Sequence, residues 1–136
     1  MTLTDTGPLV ALLDANDTCH VVCVDASKRL PSGPLRTTWP CFTEAMYLLG
    51  EVGGYRYQNA LWQLRTAGRL ILHDLTRTEI DRMVVLMEQY RDTPMDLADA
   101  SIVAVAESRS LRRIFTVDTH FHVYRLVDGS SLEVIR

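Results

Sequence analysis

A chain of 136 residues with 47% hydrophobic and 23% charged residues falls in the range of globular proteins and outside the signature of disorder. It is expected to form one domain over residues 1–136, burying about two thirds of its unfolded surface. The net charge of −3, with a single lysine (Lys28) among 14 basic residues, runs against a protein that only neutralises nucleic-acid phosphates.

No apolar run approaches the roughly 20 residues needed to span a bilayer, and no charged-then-apolar leader opens the sequence. A cytoplasmic location is expected. Cys19, Cys23 and Cys41 form no Cys-x-x-Cys pair, so neither a disulfide framework nor a zinc ribbon is signalled, and buried reduced thiols are expected.

In chain order, Thr2 to Asp5 predicts a short strand, and Gly7-Pro8 opens a helix because proline is tolerated in a first helical turn. Asn16 or Asp17 is placed to cap a second helix carrying Val21, Val22, Val24 and Leu30, which Pro31-Ser32-Gly33-Pro34 ends. Leu35 to Thr38 predicts a second strand. Helices follow from Pro40 to about Val52, stopped by Gly53-Gly54, and from Tyr55 to Thr66, ending at Gly68. Arg69 to His73 alternates as a strand, and Glu79 to Tyr90 sets Ile80, Met83, Val84 and Met87 at helical spacing. After Pro94, residues 95–107 predict an apolar helix. Arg113 to Val117 predicts a strand ending in Asp118, and Leu132 to Ile135 a last one. Short strands alternating with helices predict an α/β sandwich around a central, mostly parallel sheet flanked by helices, with its ligand site at the strand C-terminal ends.

The helix "MDLADASIVAVAE" raises a chemical question, because Asp99 projects between Val103 and Ala106, with Ile102 nearby, inside the apolar arc. A lone buried charge there is costly. Asp96 stands one turn earlier, where it either caps the helix or adds a carboxylate favoured by the helix N-terminus. Asp5 and Asp118 end two strands of the predicted sheet, and Glu44 sits in the first turn of the helix after Pro40, either as an exposed residue favoured by the helix dipole or as a fourth functional acid. Carboxylates from four segments arriving at one sheet edge repel one another unless cations neutralise them. Hard oxygen ligands in that number suit Mg²⁺ or Mn²⁺. Such ions lower the pKa of water and stabilise charge at a phosphodiester, so phosphodiester hydrolysis is the expected chemistry.

On "TDTGPLVALLD", "FTEAMYLL", "MDLADASIVAVAE" and "IFTVDTHFHVYR", in that order, the sequence resembles PIN-domain nucleases, and among them the VapC-type toxins of bacterial toxin–antitoxin pairs. The resemblance spans nearly the whole chain. It implies a PIN-like three-layer sandwich and an endoribonuclease whose acidic quartet is Asp5, Glu44, Asp99 and Asp118, holding one or two Mg²⁺ or Mn²⁺ ions with Asp96 as an additional acid. Thr116 matches a small hydroxyl residue that precedes the last acid and steers Asp118 or a water. Thr6 either orients Asp5 or is a turn hydroxyl. The resemblance also implies an RNA substrate, a small antitoxin protein as partner and a homodimer.

Setting aside the quartet turns the net −3 into +1, so the rest of the chain is slightly basic. Arg109, Arg112 and Arg113, or Lys28, Arg29 and Arg36, are candidate RNA-backbone contacts. A phosphoacceptor signalling domain needs an acidic pair at its first strand and a late lysine, and both are missing. A haloacid-dehalogenase-type phosphatase needs an aspartate where Gly7 stands. A PIN-like scaffold without activity remains the alternative. His120 and His122, like His20 and His73, have no ligand partners at zinc spacing, so surface or packing roles are expected. Trp39, Trp62, Tyr47, Tyr55 and Tyr57 fit core packing or a partner interface as well as base stacking.

Overall fold

The computed structural model describes residues 2–136, leaving Met1 outside. Five short strands, β1 (Thr2–Thr4), β2 (Leu35–Thr38), β3 (Leu70–His73), β4 (Arg113–Phe115) and β5 (Glu133–Ile135), form one sheet in the order β3-β2-β1-β4-β5. Every pairing is parallel. Around it lie α1 (Thr6–Leu13), α2 (His20–Ser27), α3 (Trp39–Gly53), α4 (Tyr55–Thr66), α5 (Arg77–Gln89) and α6 (Leu97–Arg109). Among the described residues no helix is long and apolar enough to cross a membrane.

The layers follow from what each element buries. On one face, Leu3 of β1 and Ile114 of β4 pack with Met83 and Leu86 of α5 and with Ile102, Val103 and Val105 of α6. On the other, Phe115 of β4 meets Ala11, Cys23 and Ala26 of α1 and α2, while Leu70 of β3 joins Leu9 and Val10 of α1 and Leu61 of α4. Helix α3 contributes to both sides, Cys41 to the first core and Phe42, Ala45 and Leu49 to the second. Fully buried side chains of this size contribute about 1.5–3 kcal/mol each to the driving force.

Helix ends are set by local chemistry. Thr38 accepts the Cys41 amide with Pro40 in the first turn of α3. Thr76 and Glu79 form a reciprocal capping box at α5. Gly54, at φ 67° and ψ −156°, takes a positive-φ conformation open to glycine and so stops α3. Gly7 has a different job: a Cβ there would lie 2.7 Å from Cγ2 of Val117, so only glycine lets the start of α1 approach the chain just beyond β4.

Two expectations change. Helix α2 begins at His20, after Cys19, because the Asp17 carboxylate accepts the Cys19 amide at 2.8 Å in a turn before the helix. Its core residues are Cys23 and Ala26, while Val21 and Val22 are exposed. In α5 the buried residues are Met83 and Leu86, and Ile80 and Val84 face outward. The sheet is wholly parallel among the described strands, a stricter form of the expected arrangement.

Candidate metal centre

The site begins with the reason each acid stands where it does. Asp5 follows β1 and caps α1, its Oδ1 accepting the Thr6 amide at 2.8 Å. Asp99 is the third residue of α6 and shares a capping box with Asp96: the Asp96 carboxylate accepts the Asp99 amide at 2.8 Å, and Asp99 Oδ2 accepts the Asp96 amide at 3.3 Å. Asp118 lies beyond the end of β4 and caps a single 3₁₀ turn, Thr119–His122, by accepting the His120 amide. Beside the carboxyl ends of β1 and β4, one oxygen from each of these three acids lies within 4.8 Å of the others. Two of the three, Asp5 and Asp99, are buried.

Glu44 and Asp96 stand outside that group of three and are exposed. Glu44 is still close enough to sense the others, since partial burial and then the charges of Asp96 and Asp5 raise its pKa. Asp96 is a helix cap by its hydrogen bonds, and its charge acts on Asp5, Glu44 and Asp99.

Thr116 ties two acids together. Its hydroxyl donates to Asp5 Oδ2 at 2.8 Å and accepts the Asp118 amide at 2.9 Å, so it orients the Asp5 carboxylate and the Asp118 backbone. Thr6 does not act through its hydroxyl on Asp5. Its backbone amide makes that contact, and the hydroxyl points to the Cys41 carbonyl at 3.4 Å.

Three participants were not expected. The fully buried Cys41 thiol donates toward Asp5 Oδ1 at 3.7 Å, and burial with the Asp5 charge pushes its pKa up. His120 is no packing residue: its Nδ1 lies 2.7 Å from Asp118 Oδ1. The Tyr124 hydroxyl reaches Asp99 Oδ2 at 3.2 Å. The Cys41 and Tyr124 contacts join separate elements, so no local spacing announces them, whereas His120 reaches Asp118 within one 3₁₀ turn.

The arginines named as candidate RNA-backbone contacts lie away from the three acids and have partners within the protein. Arg109 lies ten residues after Asp99, about 15 Å along α6, and bonds Glu79, His73 Nδ1 and the Asp74 carbonyl. Buried Glu79 would be raised by desolvation, but the bonds from Arg109, Ser108 and the Thr76 amide hold it at about 2. Arg112 and Arg113 pair with Asp128 and Glu133 at the start of β4, the end of the strand away from Asp118. Arg36 and Arg29 are engaged as well, with His73 and with the Arg136 carbonyl.

Electrostatics test whether a cation suits the site. Burial, then Asp96 and Asp5, push Asp99 up to about 7, and burial raises Asp5 with help from Asp118 and Asp96. The hydrogen-bond donors to Asp5 and Asp99 are hydroxyls, amides and a thiol, all uncharged. Negative charge therefore accumulates without a compensating arginine or lysine in contact. An all-oxygen, acidic donor set of this kind fits Mg²⁺ or Mn²⁺.

The PIN-domain family profile matches residues 2–126. The chain belongs to the PIN-domain family. A relative of this PIN domain, ribonuclease VapC26 of Mycobacterium tuberculosis, is 27% identical over 135 residues, covering 96% of this chain and 97% of the relative. Among solved structures, the sarcin–ricin loop cleaving toxin VapC20 of M. tuberculosis superposes over the full length of both chains with a TM-score of 0.86 at 18% identity. A toxin–antitoxin complex from Klebsiella pneumoniae matches over 88% of each chain with a TM-score of 0.66 at 21% identity. These likenesses establish the PIN-like α/β fold.

For Thr116→Val we expect Mn²⁺ affinity, measured by titration calorimetry, to fall on the order of 10-fold, with about 1–3 kcal/mol of stability lost as the Asp118 amide loses its partner. Thr116→Ser should retain most of both. Unchanged affinity in the valine variant would show that the hydroxyl does not organise the acids.

Proposed function

We propose that this PIN domain is a Mg²⁺- or Mn²⁺-dependent endoribonuclease, the toxin of a VapBC-type toxin–antitoxin pair, acting in the cytoplasm. The observation that carries this reading is the convergence of Asp5, Asp99 and Asp118, from three distant segments, on one sheet edge. Family membership and the VapC relatives support it.

In this reading Asp5, Asp99 and Asp118 hold the cation. Glu44 and Asp96 complete the acidic set from the rim, where Glu44 accepts a proton more readily than an ordinary glutamate. Thr116 keeps Asp5 and Asp118 in register. A bound divalent ion supplies a water of lowered pKa and offsets the charge that develops at the phosphodiester. No side chain of the site need form a covalent bond to RNA. A cognate antitoxin is the partner suggested by the toxin–antitoxin complex among the structural relatives. A homodimer accords with the exposed apolar residues Ile80 and Val84 on α5 and Tyr47, Leu48 and Val52 on α3.

The test is cleavage of a mixed-sequence synthetic RNA by the purified protein. Cleavage is expected with Mg²⁺ or Mn²⁺ and not with EDTA. Because water and not the ribose 2′-hydroxyl attacks, the products should lack 2′,3′-cyclic phosphate ends. Cleavage that persists in EDTA, or cyclic ends, would refute the mechanism. Tight RNA binding with no cleavage under any metal would instead favour a scaffold PIN domain.

A further inference from the structure

Tyr124 lies in the last of the quoted stretches without a role read from it, yet it is 2% exposed and its hydroxyl lies 3.2 Å from Asp99 Oδ2. Its ring is clamped on several sides. Tyr90 and Phe121 meet it edge-on, with centroids at 5.1 and 5.3 Å. His120 stacks on it at 6.5 Å, and His120 is itself held by Asp118. The same hydroxyl lies 2.9 Å from the Pro94 carbonyl, in the turn that leads into α6. Tyr124 thus joins the segment carrying Asp118 to the helix start carrying Asp99.

We propose that Tyr124 is a positioning residue of the acidic centre: its single hydroxyl proton, shared between Asp99 Oδ2 and the Pro94 carbonyl, orients the Asp99 carboxylate for the divalent cation and ties the Pro94 turn to the site. The inference rests on the metal-dependent reading above. Four arguments support it. The ring cannot swing away, because three aromatic neighbours confine it. The hydroxyl lies within reach of both the Asp99 carboxylate and the Pro94 carbonyl, so one rigid ring ties two acceptors. Partners that orient a metal-binding carboxylate, without touching the ion, commonly change metal affinity 10–100-fold. The Asp96 amide, at 3.3 Å, holds the same Asp99 oxygen, so two donors converge on one side of the carboxylate and, among the described residues, none reaches the other.

Tyr124→Phe keeps the ring and removes only the hydroxyl. In titration calorimetry with Mn²⁺, its dissociation constant is expected to rise on the order of 10–100-fold over wild type. At saturating metal, kcat should recover to within a few-fold and KM for RNA should stay unchanged. A purely structural role would instead lower the melting temperature and leave metal affinity alone. Wild-type binding with equal affinity in Tyr124→Phe overturns the role of Tyr124 and leaves the nuclease reading intact. No Mn²⁺ binding by wild type overturns both. A second measurement leaves Tyr124 in place: Mg²⁺ added to wild type and to Tyr90→Phe should give the same tyrosine absorbance difference. Absence of any difference in wild type overturns the proposal.

Discussion

Asp99→Asn is expected to lower RNA cleavage by about three orders of magnitude, equivalent to ~4 kcal/mol of transition-state stabilisation, while leaving the protein at least as heat-resistant as wild type. Asparagine has the shape of aspartate and can still accept the Asp96 amide and the Tyr124 hydroxyl, so the capping box and the local packing survive. It removes the charge that burial and the neighbouring carboxylates disfavour most, since Asp99 is pushed up to about 7. Function and stability therefore move in opposite directions at one residue. Cleavage rates in Mn²⁺ and thermal melts in EDTA check the two halves separately. Near-wild-type cleavage would remove Asp99 from the site, and a large drop in melting temperature would show that its charge has a structural partner.

Mn²⁺ in hundredfold excess over its dissociation constant should raise the melting temperature by roughly 10 °C, from ~2.7 kcal/mol of binding linkage in a domain of this size. It should also alter the pH dependence of stability. Asp99 has an ordinary value of 3.8 and is raised to about 7 in the folded protein, so the folded state binds the proton more tightly than the unfolded one. Its contribution is fully present below about pH 4 and is lost as pH rises to about 7. Asp5 and Glu44 shift in the same direction. Glu79 works oppositely, because its depressed value makes the Arg109 pair stabilising above its ordinary 4.5 and weaker as pH falls toward 2. Metal-free protein should therefore lose stability between about pH 4 and 7, and that loss should be reduced both by Mn²⁺ in wild type and by Asp99→Asn without metal. Melts across this range with and without Mn²⁺ measure it. A flat metal-free profile would show that the acids do not repel as described.

Much of this arrangement was legible because its signals are local. Leu35–Thr38 and Tyr55–Thr66 lie between strong breakers, and the structure has the same bounds. Asp99 stood out as an acid in an apolar arc, and Asp5 as the residue ending a strand. Asp118 was located, although β4 stops at Phe115 and the acid sits in a 3₁₀ turn with no periodic pattern to announce it. Glu44 was marked as much by family resemblance as by its position. Contacts across long separations stayed hidden: Cys41 meets Asp5 over 36 residues and Tyr124 meets Asp99 over 25. Periodicity also misjudged α2 and α5, where Val21, Val22, Ile80 and Val84 face outward, because apolar spacing marks a face without saying what covers it.

Every residue of α6 from Ala98 to Ala106 is buried, so the helix has almost no solvent-facing side. Opening it would mean dismantling much of the interior, which makes it an anvil for Asp99. The opposite wall, from Thr116 to Tyr124, is held differently: it has one 3₁₀ turn, and Thr116, Phe121 and Tyr124 pin it in the interior while Asp118 and His120 between them are half-buried. An ion gripped by Asp99 and Asp118 would therefore act as a clasp between a deeply seated helix and a segment pinned at three points. The slowing of motion on metal loading would fall on the chain between those pins, at Asp118 and His120.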